Sequence, residues 1–194
     1  MSSPVLPSPQ LTPEHFRELE AAKHALRKIR RAVSAAKLEG YTVAIFGGLT
    51  VMIGITSITD IILGLILLAI GIVELNGAAR LRRLDPRGIR LLTINQLTFA
   101  VLILLYALWN VHAEIAHPVG GVTDAEAQAL GQVDPSVLSL THEVMLLVYS
   151  SFILAALFEA GMAAYFRSRG PLLQQYLAET PEWITSMQKA GVST

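Results

Sequence analysis

Residues 61–109 read IILGLILLAIGIVELNGAARLRRLDPRGIRLLTINQLTFAVLILLYALW. Two long apolar segments flank a short basic turn. Each segment has about 20 mostly apolar residues, enough to carry a helix across ~30 Å of hydrocarbon. The turn carries Arg80, Arg82, Arg83, Arg87 and Arg90. Positive charge accumulates in cytoplasmic loops, so the turn is assigned to the cytoplasmic side. The stretch therefore predicts an all-α integral membrane protein.

Outward from this pair, two further apolar runs complete a domain over residues 41–168. The expected spans are 41–58, 61–79, 91–111 and 144–166, with an outer loop at 112–141. No Lys or Arg occurs between Leu38 and Ala79, or between Leu91 and Phe166. Four spans with both termini inside place every Lys and Arg in the cytoplasm. Only acids fall outside: Asp60, Glu114, Asp124, Glu126 and Asp134, with Glu143 near the rim. The expected fold is a four-helix bundle of two helical hairpins, in a membrane of the bacterial inner (plasma) membrane type.

Residues 1–12 are rich in Pro and Ser and read as a disordered cytoplasmic tail. Thr12 can cap a helix that begins with Pro13 and Glu14. Over residues 13–39, Leu19, Ala22, Leu26, Ile29, Val33 and Ala36 form one apolar stripe. Cations flank it, among them Lys23, Arg27, Lys28 and Arg31. This pattern predicts a helix on the inner membrane surface, its stripe in the headgroup region and its cations on anionic lipid. A coiled-coil or partner-binding helix is the competing expectation. At the other end, Gly170-Pro171 is expected to stop the fourth span. A short interfacial helix around Trp183, Ile184 and Met187 is expected within residues 171–194.

Composition limits the chemistry. The chain has 194 residues, 53% of them hydrophobic and 15% charged, too apolar for an ordinary soluble domain. Its formal net charge of zero gives no reason to expect nucleic acid as a partner. With no cysteine, disulfides, thiolate nucleophiles and Cys-based metal sites are excluded. The first residues lack the basic region and apolar core of a secretory signal, so insertion is expected to depend on the spans themselves. Ser150-Ser151 has no histidine base at its depth, and Gly47-Gly48 lacks the Lys-Ser/Thr of a phosphate loop.

Small residues recur every seven positions. Gly40, Gly47 and Gly54 do so in the first span, Gly64, Gly71 and Ala78 in the second. Thr93, Ala100 and Ala107 follow in the third, Ala156 and Ala163 in the fourth. Such stripes let backbones approach, and van der Waals contact then drives association in lipid. The period predicts left-handed packing near +20°.

Polar residues share these stripes. Glu74, Gln96 and Glu159 each lie three positions after one small residue and four before the next. The segments Glu74-x-x-x-Ala78-Ala79-x-x-Arg82 and Glu159-x-x-x-Ala163-Ala164-x-x-Arg167 match each other, as two parallel hairpins would. Intramembrane carboxylates are costly, so this set is the candidate polar site. Its bland role is to hydrogen-bond helices together; its sharper role is a path for protons, cations or a small solute.

Histidines fall elsewhere. His112 and His117 end the third span, while His142 and Glu143 begin the fourth. They are the candidate ligands for a transition metal, or for haem in a redox subunit. No Glu-x-x-His pair of the di-iron type accompanies them, and no cofactor is predicted. The expected function is that of a small non-enzymatic membrane protein, a homo-oligomer or an accessory subunit of a larger membrane complex. The alternative is a channel or transporter using Glu74 and Glu159.

Overall fold

A computed structural model describes residues 12–55, 57–116 and 135–190, except for the side chains of 135–139 and 141. The described residues form six helices and no strand. They are α1 (Pro13–Ile53), α2 (Ile58–Arg82), α3 (Pro86–Ala116), α4 (Pro135–Arg167), α5 (Arg169–Glu179) and α6 (Glu182–Lys189). Four helical stretches are long and apolar enough to cross a membrane, α1, α2, α3 and His142–Glu179 of α4 and α5, which marks an integral membrane protein. By internal contacts the chain divides into two compact units: Met1–Leu92 with Phe166–Thr194, and Thr93–Tyr165.

In the first unit, α1 is one unbroken helix of 41 residues, ~60 Å long. The expected separation of a helix at 13–39 from a span at 41–58 is corrected. Gly40 does not break the helix, because it is a contact point. A Cβ there would lie 3.0 Å from Leu75 Cγ and 3.2 Å from Glu74 Cβ, both of α2. A mid-helix Gly costs about 1 kcal/mol against Ala, and the close approach offsets it. Thr12 caps α1 as expected, and its partner in a capping box is His15. The helix stops at Ile53, while Ile58 already belongs to α2, whose N-cap is Ser57.

The small-residue stripes of α1 and α2 interlock. A Cβ on Gly71 would stand 2.7 Å from the backbone N of Ala44, and one on Gly47 2.6 Å from that of Leu68. Gly54 lies against Asp60 at the turn between the two helices. Only glycine permits backbones this close.

The basic turn after α2 is tightly built. The Asp85 N–H donates to the Arg80 carbonyl (3.1 Å) and the Leu84 N–H to that of Leu81 (3.0 Å), closing the helix end. Leu84 takes the left-handed conformation at φ 58°, where glycine is usual. Its side chain is 2% exposed, and that burial offsets the strain. Asp85 accepts from the Arg87 N–H (2.9 Å) and starts α3 at Pro86, before the expected 91. Gly77 and Gly88 then meet: a Cβ on Gly88 would lie 2.9 Å from the Gly77 carbonyl oxygen.

The C-terminal helices cover α1. Ala22, Leu26, Ile29, Val33 and Ala36, the stripe expected in the headgroup region, are all buried within the protein. Leu173 and Tyr176 of α5 and Ile184 of α6 are buried too. The His15 and Trp183 rings meet edge to face, 5.4 Å between centroids. The stripe thus packs against the protein's own C-terminal helices. Gly170-Pro171 does not end helical structure either; α4 ends at Arg167 and this pair sits in the first turn of α5. A proline there gives up no helical hydrogen bond.

In the second unit, α3 and α4 run antiparallel. Tyr106 packs edge to face on Tyr149 (6.4 Å) and Phe152 (5.8 Å), and Glu114 meets His142. Both helices reach into the expected outer loop at 112–141, so α3 continues to Ala116 and α4 begins at Pro135. The rest of that loop and most of the expected 1–12 tail lie outside the described residues.

Candidate functional site

Glu74 lies on α2, in the first unit, and is 2% exposed. The helical offset from Gly71 and Ala78 brings it to the face that packs on α1. There its Cβ sits beside Gly40, a close approach possible only because residue 40 has no side chain.

Gln96 and Glu159 belong to the second unit and are 1% and 8% exposed. The pairing of Glu114 with His142, and of Tyr106 with Tyr149 and Phe152, fixes the register of α3 against α4. Carried along the two helices, that register puts Ala100 level with Ala156, Gln96 with Glu159, and Thr93 with Ala163. Ala100, Ala156 and Ala163 are buried, as small residues at a helix contact should be. Asn95, absent from the sequence-based set, is buried beside Gln96 in the chain. It falls outside the seven-residue stripe, so periodicity alone does not single it out.

The outer histidines separate. His142 Nδ1 lies 2.8 Å from Glu114 Oε1, with Glu114 3% exposed. This ties the ends of α3 and α4. The sequence places Glu114 between His112 and His117 at the end of the third span, with nothing to pair it with His142. His112 and Glu143 are exposed, and His117 lies outside the described residues. Among the described residues no three His, Cys, Asp or Glu side chains converge as metal ligands.

Of the cations proposed for lipid, Lys23, Arg27, Lys28 and Arg31 are all exposed along α1, away from its covered stripe. The glycines divide sharply. Gly47, Gly54, Gly64 and Gly71 are close-contact points, while a Cβ on Gly48 or Gly161 would meet nothing within 4 Å.

Compared with protein-family models, curated proteins and solved structures, the chain matches none.

Proposed function

We propose that the chain is a non-enzymatic four-span membrane subunit, with both termini cytoplasmic, that assembles with copies of itself or with a larger membrane complex. The supporting observation is the burial of Glu74, Gln96 and Glu159 on helix faces that also carry small residues. Polar side chains in that setting join helices, each contact contributing about 0.6 to 2 kcal/mol. The outward faces carry large apolar side chains such as Ile45, Leu65, Leu105 and Leu157, suited to lipid or to a neighbouring span.

The second reading is a proton or cation path. It draws on two carboxylates buried within membrane-spanning helices, where such groups commonly serve ion movement. The double variant E74Q/E159Q separates the two. Gln keeps the hydrogen bonding and cannot cycle a proton. The subunit reading expects E74Q/E159Q to stay folded with unchanged oligomer size, and neither protein to pass ions in liposomes. Ion flux through the wild type that is lost in a folded E74Q/E159Q would establish the path instead.

A further inference from the structure

A cavity of about 590 Å³ opens where the middle of α1, the end of α2 with its basic turn, and the end of α6 come together. All three belong to the first unit. Arg30, Lys37, Arg82, Arg83 and Lys189 line it, and no carboxylate does. Of these, Lys37, Arg82, Arg83 and Lys189 form no ion pair among the described residues. Lys37 is half-buried and Arg82, Arg83 and Lys189 are exposed, so the cavity carries positive charge at its mouth, where an anion is attracted.

The rest of the lining suits an amphiphile. Ile29, Leu81 and Leu84 supply buried apolar walls. Gln188 also lines the cavity and is 8% exposed. Its Oε1 accepts from the Tyr176 hydroxyl at 2.8 Å, while its Nε2 has no hydrogen-bond partner, so a fixed donor remains for a ligand. The cavity lies at the basic end of α2, where a span reading 61–79 passes from hydrocarbon to headgroups.

We propose that this cavity binds the phosphate headgroup of an anionic phospholipid. Lys37, Arg82, Arg83 and Lys189 neutralise the phosphate, Gln188 donates to it, and the apolar wall meets the start of the acyl chains. Lys23, Arg27, Lys28 and Arg31 on α1 do not line the cavity. The inference rests on reading α2 as a membrane span. Binding in detergent is measured without regard to sidedness, so its failure is distinct from a failure of the topology.

The test is native mass spectrometry of the full-length protein in detergent, titrated with phosphatidylglycerol or phosphatidylcholine. Phosphatidylglycerol is expected to bind at least roughly tenfold more tightly, because only it carries net negative charge. The variant K37Q/R82Q/R83Q/K189Q should lose that preference, while K23Q/R27Q/K28Q/R31Q and the charge-conserving R82K/R83K should keep it. A preference that survives the first variant, or vanishes in R82K/R83K, overturns the site. Inorganic phosphate displacing phosphatidylglycerol at equal concentration would overturn the lipid assignment and leave a soluble phosphate as the ligand.

Discussion

Gly47 and Gly64 face each other reciprocally: a Cβ on either would lie 2.8 Å from the carbonyl oxygen of the other. No ordinary Cβ contact is that short, so α1 and α2 meet backbone to backbone at this level. The relationship turns a repeating pattern of small residues into a measurable constraint.

Gly47→Ala is expected to destabilise the protein by about 1–3 kcal/mol, the usual range for overpacking. Gly48→Ala, one residue along, meets open space and is expected to be neutral or to stabilise by up to about 1 kcal/mol through helix propensity. Unfolding by denaturant in detergent measures both. Equal effects from the two substitutions would remove the stripe as a contact.

Replacing His142 by Ala removes the imidazole 2.8 Å from the buried Glu114 carboxyl. The expected cost is about 0.5–1.5 kcal/mol, the net contribution of one hydrogen bond. His112→Ala changes an exposed side chain and should fall within about 0.5 kcal/mol of wild type. Thermal unfolding of the two variants side by side checks the pair.

Deleting residues 169–194 should uncover Leu26, Ile29, Val33 and Ala36 on α1. Hydrogen exchange over residues 22–36 should then rise, while the glycine-lined part of α1 keeps its protection. Tyr176→Phe offers a milder version, since it removes the buried bond to Gln188. Unchanged exchange in the deletion would show that α5 and α6 do not hold this stripe.

The apolar runs and the glycine heptads were legible because both report on single helices, and a helix fixes its own periodicity. Thr12 likewise announced a helix start through local chemistry alone. What stayed hidden depends on partners distant in the chain. That one helix runs on through Gly40 shows only once Leu75 is seen beside it. Gly77 and Gly88 form a pair only once Leu84 turns the backbone at φ 58°, a conformation that no pattern assigns to leucine. The α1 stripe looks ready for a membrane surface because nothing local reveals that α5 and α6 return to cover it. The Glu114–His142 pair spans 28 residues and has no sequence signature.

The proposed function places four spans in the membrane with the basic turn inside. The absence of cysteine allows single-cysteine labelling without a background substitution. Arg87→Cys and Asp124→Cys, in separate variants, should be treated in intact cells with a membrane-impermeant thiol reagent. The account predicts that Asp124→Cys labels directly and Arg87→Cys labels only after the membrane is permeabilised. Labelling of Arg87→Cys from outside in intact cells would contradict it.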